Sequence, residues 1–385
     1  MSPFSRLVWL PIVLWAVCAP WSCSAADDPS LRERLEKDGI HVNVFYNHLA
    51  AAKNSGGADG KSGASVSGTS DWIAQWNLEE KGVAHGRFLV HVKADFNSGL
   101  NSRVGAWGDP FDDADGTVAY IAQFWYEHNL AHGRFQIRAG YLNQQTALDR
   151  NAYANIEDRQ FMNEFLDNNT ALLPLGITPG VAVFLNPADW VSFVVSMVDA
   201  NSPFNEFDTQ TLFNGDYVTF AEADFQARIP SRSGSLVGTY RFGGFLDSRR
   251  FTRPDRPADA LHNRGAYVSF DQQIYAEQDA PQQGLGLFFR GGSRPRDRNL
   301  VDRFWSAGAQ YRGLVSGRGQ DVLAVGGYRA SDDQAGAESG IECYYAFPVG
   351  KSLVVTPAVQ YLRRPGGRRD VGNTFLAALR IRLAL

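Results

Sequence analysis

The sequence is short of cysteine, of lysine and of long apolar runs, and each shortage removes a class of protein. Of its three cysteines, Cys18 and Cys23 lie in an N-terminal segment expected to be removed. Cys343 is then alone, and no intrachain disulfide is possible. Soluble secreted domains often depend on such bridges, whereas a closed hydrogen-bonded wall constrains its chain without them. No stretch after that segment holds eighteen consecutive apolar residues, which excludes inner-membrane helices. Charged residues make up 20% of the chain and the formal net charge is −4, so no basic excess invites a polyanion and no nucleic-acid partner is expected. The basic residues are mostly arginine, with lysine at few positions such as Lys37, Lys93 and Lys351. There is no HExxH, GxSxG or P-loop pattern. The histidines show no ligand spacing: His128 and His132 are four apart, but a turn at Gly133 interrupts any helix that would bring them together. Neither a metal nor a cofactor is expected, and no enzymatic activity.

The chain is rich instead in glycine (38 residues) and in aromatics (12%). Residues 1–25 read as a signal peptide: Arg6 supplies the positive start, Leu7 to Ala19 the short apolar run, and Cys23-Ser24-Ala25 the small residues for cleavage. That leaves 26–385 as a single domain, and it is dominated by short alternating segments. In Arg87 to Phe96, the side chains of Phe88, Val90, Val92, Ala94 and Phe96 point one way. Arg87, Leu89, His91, Lys93 and Asp95 point the other. The same two-faced pattern recurs at 118–130, 134–141, 217–228 and 374–384. A soluble sandwich also alternates, with its charged face in water. A membrane barrel inverts this, with lipid on the apolar face and lumen water on the charged one.

The expected fold is all-β: a transmembrane antiparallel barrel of about sixteen strands, the size that leaves an aqueous channel. The strands are expected near 40–49, 66–79, 86–96, 118–130, 134–141, 179–186, 190–199, 217–228, 235–245, 265–275, 285–293, 303–312, 321–329, 338–347, 353–363 and 374–384. Tight turns fall at 131–133, 186–189 and 349–350. Longer connections fall at 97–117, 142–178, 200–216, 246–264 and 364–373, and the Gly, Ser and Ala-rich stretch 50–65 reads as a flexible loop. The connection at 142–178 is long, polar and partly helical in pattern, a combination that marks functional loops.

Several segments then resemble the carbohydrate-selective porin family of bacterial outer membranes, over Leu31 to the C-terminus. They include Gly39-Ile40 and Tyr46 with Gly56-Gly57, and Gly140-Tyr141-Leu142 with Phe161, Phe165, Gly180-Val181 and Asn186-Pro187. Further on come Asp271-Gln272-Gln273, Gly284 to Arg290, and Gly313-Leu314-Val315 with Gly317-Arg318 and Asp321. The tail carries Glu342-Cys343-Tyr344-Tyr345, Thr356 to Tyr361 and Arg364-Pro365-Gly366-Gly367. Their order and spacing carry the resemblance more than any one of them. It implies a sixteen-stranded barrel in the outer membrane, in contact with its lipid, that passes glucose and similar small sugars by diffusion. It also implies a monomer, although general porins of this size are commonly trimers. One departure is the ending Leu383-Ala384-Leu385, where barrels of this kind usually end on an aromatic residue.

The candidate constriction is the 142–178 loop, where Asp149, Arg150, Glu157, Asp158 and Arg159 alternate in sign. Such a row offers sugar hydroxyls both donors and acceptors. The plain alternative is a surface segment laced with salt bridges, with Phe161 and Phe165 merely anchoring it. Sugars also stack on flat apolar rings. Trp125 shares the polar phase of its strand with Gln123 and Glu127, which makes it the first candidate platform, and Trp107, in a loop, is the second. Trp190 and Tyr217 begin strands and read as girdle residues. Arg138, with Arg134, Arg241, Arg290, Arg380 and Arg382, falls on the lumen phase, where pairing with carboxylates such as Glu222 and Asp224 is the simplest role. Asp112, Asp113 and Asp115 form an acidic cluster that suits a solvated loop or a charged mouth. Two alternatives to a sugar porin stay open: a general diffusion porin with no sugar site, and a secreted soluble β-rich enzyme acting on polysaccharide.

Overall fold

A computed structural model of the chain describes residues 29–79, 82–97, 99–112, 119–170, 177–202, 209–212, 214–253, 256–332 and 336–385. The segment 1–25, expected to be a signal peptide, and two of the clustered acids, Asp113 and Asp115, lie outside the described residues. A short helix, α1 (Pro29–Lys37), leads into sixteen antiparallel strands. These are β1 (Ile40–Lys53), β2 (Gly63–Asn77), β3 (Gly86–Phe96), β4 (Tyr120–Leu130), β5 (Phe135–Leu142), β6 (Thr178–Ala188), β7 (Val191–Asp199) and β8 (Tyr217–Ser231). They continue with β9 (Gly234–Arg253), β10 (Arg256–Glu277), β11 (Ala280–Ser293), β12 (Arg303–Arg312), β13 (Val322–Asp332), β14 (Gly336–Val349), β15 (Leu353–Arg363) and β16 (Thr374–Ala384). Two further short helices lie in loops, α2 (Leu100–Val104) and α3 (Glu164–Asp167). Among the described residues no helix is long and apolar enough to cross a membrane.

Each strand pairs with its neighbours in sequence, and β1 pairs with β16, so the sheet closes. The closing seam runs from Phe45 opposite Ala384 to Lys53 opposite Leu376. Closure gives every strand two partners, the condition for backbone polar groups to survive in lipid. The alternation decides what each face meets. Trp72, Phe124, Val181, Val195, Phe242, Leu246, Val268, Ile341 and Phe375 are large, apolar and exposed on the outside of the wall. The inward phase carries Asn47, Glu127, Asp224, Arg241, Asp271, Arg290, Glu342, Gln360 and Arg380, all buried. A water-filled interior partly filled by a polar loop explains both lists.

Two connections differ from the pattern-based expectation. The segment 246–264 is not a loop: β9 and β10 run on through it as a long hairpin, and Phe251 still pairs with Leu261. Its polar residues hid the strand because the hairpin rises above the belt where lipid demands apolar side chains. The stretch 50–65 is strand at both ends, with a connection of nine residues between Lys53 and Gly63. That connection is tied down. Lys53 Nζ donates to Gly56 O and Asp59 Oδ1 at 2.6 Å each, and Arg103 Nε donates to Asp59 Oδ2 at 2.8 Å.

All connections leaving odd-numbered strands lie on one rim, and those leaving even-numbered strands, together with both chain ends, on the other. The second rim carries the tight turns, such as 131–134, 189–190 and 232–233. By the habit of bacterial barrels, tight turns face the periplasm and long loops face outside.

Candidate functional site: a loop bound across the lumen

The described part of the connection between β5 and β6, residues 143–170, does not stand out into solvent. It folds into the barrel and is held there by inward side chains from many strands. The fastening begins at Asp149, a non-glycine residue with a left-handed backbone (φ 48°). Its N–H donates to both oxygens of Glu222 on β8, at 3.0 and 2.9 Å. Its carboxylate takes the Nε–H of Arg290 on β11 in a fully buried ion pair. The rest of that guanidinium donates to Leu166 O at 2.9 Å, to Ala154 O and to Asn155. Arg290 thus gathers both arms of the loop onto one cation. Beside it Arg241 pairs with Asp271 at 2.5 Å and donates to Arg150 O at 2.7 Å, while Asn151 reaches Phe270 O at 3.1 Å.

The far half of the loop is bound to the opposite wall. Glu342 on β14 accepts the N–H groups of Met162 and Asn163, at 2.9 and 3.0 Å. Gln360 on β15 accepts from Asn163 and donates to Pro110 O. Arg380 on β16 donates to the carbonyls of Glu157 and Gln160, and Arg382 pairs with Asp158 at 2.7 Å. A backbone loop in a confined interior has no lattice of its own to satisfy its polar groups, so the wall satisfies them instead. Aromatic packing completes the seat. Phe161 meets Phe288 and Tyr344 at centroid distances of 5.5 and 5.1 Å, and Phe165 meets Phe304 and Tyr328 at 5.7 and 4.9 Å. Two wall glycines make room. A Cβ at Gly286 would lie 2.0 Å from the Tyr153 ring, and one at Gly326 would lie 2.9 Å from the Phe161 ring. Burial pushes the Tyr153 hydroxyl up to about 12, so it stays neutral in its seat.

What the loop leaves open runs along β3 and the second half of β2, where residues on both faces of the strands stay partly exposed. Arg150 and Arg159 are exposed on the loop, and Glu157 is partly so. Glu157 takes a hydrogen bond from Lys93 of β3 at 3.4 Å, which bridges the gap to that strand. On the wall, Glu127 holds two guanidiniums, that of Arg87 at 2.6 Å and that of Arg138 at 2.8 Å. Arg138 lies over the Trp125 ring at 4.2 Å and near Phe184 at 4.9 Å, and Arg87 lies 5.4 Å from the same indole. The indole N–H donates to Gln123.

The candidate constriction and platform residues can now be located. All five charged candidates lie on the inward loop but in two groups, Asp149 and Arg150 against β8–β11 and Glu157, Asp158 and Arg159 towards β16 and β1. Trp125 lies on the lumen side, but its ring is only 4% exposed and carries Arg138 on its face. Trp107 lies apart, at the long-loop end. Its N–H donates to Glu338 at 2.8 Å and its ring rests on Gly367. Arg138, Arg241, Arg290 and Arg382 pair with carboxylates, although not with the two expected, and Arg134 and Arg380 donate to backbone carbonyls. Glu222 serves the loop backbone and Tyr267 rather than an arginine, and Asp224 accepts from Ser192. Sequence reading passed over Glu342, Gln360 and Arg87 as parts of the site. Arg87 and Glu127 carried a usable signal, both standing on the polar phase of adjacent strands.

Comparisons with known proteins bear on this architecture. A family model described as carbohydrate-selective porin, OprB family, matches residues 39–385. Porin B of Pseudomonas aeruginosa is 26% identical over 143 residues, which cover 30% of this chain and 32% of that protein. The chain thus aligns with about a third of the length of that curated relative. The high-pH structure of OprB from Pseudomonas putida superposes with a TM-score of 0.82 at 18% identity, covering 92% of this chain and 96% of the other. The low-pH structure of the same protein gives 0.64 at 17% identity, with the same coverage. At these identities the structural likeness speaks for the fold.

Proposed function

The chain belongs to the carbohydrate-selective porin family, whose fold is that of an outer-membrane channel, and from that premise we propose that it passes small carbohydrates such as glucose by passive diffusion. The observation that carries the reading is the loop segment 143–170, seated across the lumen by buried charges and leaving a charged gap beside β3 and the second half of β2. No bond is made or broken, and no catalytic step is assigned. Selectivity comes from the width of the gap and from groups that match sugar hydroxyls.

Within this reading the candidate residues divide into two jobs. Arg150, Glu157 and Arg159, which are open to the gap, and Arg87 and Arg138 on the wall, both held by the buried Glu127, supply donors and acceptors to hydroxyls. Asp149 and Asp158 position the loop, and Trp125 holds the Arg138 guanidinium in place from beneath. Trp107 acts earlier, at the long-loop mouth. Binding is weak, because a tight site would slow exit. Residues 1–25 export the chain, residues 26–385 form one domain, and the barrel works as a monomer.

The test is planar-bilayer conductance of the refolded protein, titrated with glucose and then with sucrose. Saturable block by sugar supports the reading. Open channels indifferent to either sugar would make it a general diffusion porin. A protein that stays soluble without detergent and forms no channel would sink both readings.

A further inference from the structure

We propose that the long-loop rim of β12–β15 carries, on its lipid-facing side, a binding site for the phosphate groups of a glycolipid headgroup in the outer leaflet. The site lies outside the lumen and plays no part in sugar passage.

The ladder register places the residues. Trp305 on β12 pairs with Arg329 on β13, Arg329 with Ser339 on β14, and Ser339 with Arg363 on β15. Paired residues of adjacent strands share a face and a height. Trp305 is 45% exposed on the outer surface, so Arg329 and Arg363 face outward beside it, and both are exposed. Arg303 stands two residues nearer the rim on the same face as Trp305. Below this row the outer wall is apolar, with Val325, Ile341, Val359 and Phe375 exposed. The wall therefore changes from apolar to basic at the level of Trp305 and Tyr361, as expected where hydrocarbon gives way to headgroups.

The basic row is also a concave site. A recess of about 490 Å3 is lined by Arg303, Arg329, Arg364 and Arg369 together with Trp305, Asp332 is the only carboxylate among its described lining residues, and Arg303 lies 3.8 Å from Asp302 behind it. Among the described residues, the side chains of Arg329, Arg363 and Arg369 make no ion pair or hydrogen bond. The nearby Asp370 is held by Arg368 at 2.6 Å. Planar guanidinium forks match phosphate oxygens in pairs, and several converging on one recess fit a ligand with more than one phosphate. A zwitterionic headgroup would leave this excess of positive charge uncompensated, whereas a phosphorylated glycolipid neutralises it.

The experiment uses the full chain in detergent, with bound lipid counted by native mass spectrometry. The probes are diphosphorylated lipid A, its dephosphorylated counterpart and inorganic phosphate. The wild-type protein retains the diphosphorylated lipid in preference to the other two. With about 1 kcal/mol for each basic residue near a charged lipid surface, R329Q/R363Q/R369Q weakens its binding about a hundredfold. R369Q alone, placed in a loop outside the sheet, weakens it about fivefold and covers the case in which the triple variant fails to fold. R232Q/K351Q, on the opposite rim, leaves binding unchanged. Undiminished binding by both R369Q and the triple variant overturns the proposal, and so does an equal loss in the opposite-rim control. Displacement of the lipid by equimolar inorganic phosphate also overturns it, since the recess would then be a plain anion site. None of these outcomes depends on whether sugar blocks the channel.

Discussion

Replacing Arg290 by methionine removes the one cation that gathers both arms of the inward loop. The side chain is fully buried in β11, pairs with Asp149 and donates to three further acceptors at Leu166, Ala154 and Asn155. Methionine fits the volume of the stem but leaves the Asp149 carboxylate buried without its counter-charge. Breaking a buried pair from one side costs about 3–5 kcal/mol. The sixteen wall ladders do not pass through Arg290's side chain, so the loss falls on the loop and the barrel still closes. A loop loosened by that amount samples unseated positions often enough to register in single-channel recordings. The expected result is a noisier channel with a higher mean conductance and weaker block by glucose. The double variant D149N/R290M should recover a large part of the loss, because no uncompensated charge remains. A quiet R290M channel with wild-type conductance would refute the view that this pair seats the constriction.

Four further outcomes test other parts of the argument. Glu342→Ala orphans the N–H groups of Met162 and Asn163, at about 1–3 kcal/mol each, and should expose the 155–170 segment to limited proteolysis while the barrel stays resistant. Phe161→Ala removes a ring packed between Phe288 and Tyr344, costs about 3–5 kcal/mol of loop packing, and should raise open-channel noise. Trp125→Leu frees Arg138 from its platform, worth about 0.5–2 kcal/mol, and should weaken glucose block several-fold with little change in salt conductance. Asp167, in α3 of the loop, makes no hydrogen bond through either oxygen among the described residues, and burial holds its carboxyl well above the usual carboxylate range. Repulsion from Asp112, Glu157 and Glu164 adds to that rise, and Arg290 opposes it. A carboxyl raised on folding is most favourable to the seated loop below its unfolded pKa of about 4, and that advantage is lost as pH climbs towards the raised value. Channel noise should therefore grow as pH increases, and D167N should flatten the dependence; the same rise in noise in D167N would remove Asp167 as its source.

The number of strands, their order and the division of faces were legible in the sequence because they rest on a local period of two. Phe88, Val90 and Val92 against Arg87, His91 and Lys93 need no knowledge of the rest of the chain to declare two environments. The inward loop was half legible: its length, its alternating charges and its two phenylalanines marked 142–178, and Phe161 and Phe165 do pack against the wall. The partner of each charge was not legible. Asp149 finds Arg290 at a separation of 141 residues, and Met162 finds Glu342 at 180. Such pairs are chosen by how a closed barrel brings distant strands around one lumen, and no spacing along the chain encodes that. The β9–β10 hairpin escaped notice for a related reason, since beyond the membrane belt a strand is held by its ladder alone and need not alternate. The local pattern determined the wall, and only closure of the wall decided where the loop lies, which cation holds it and what faces the remaining gap.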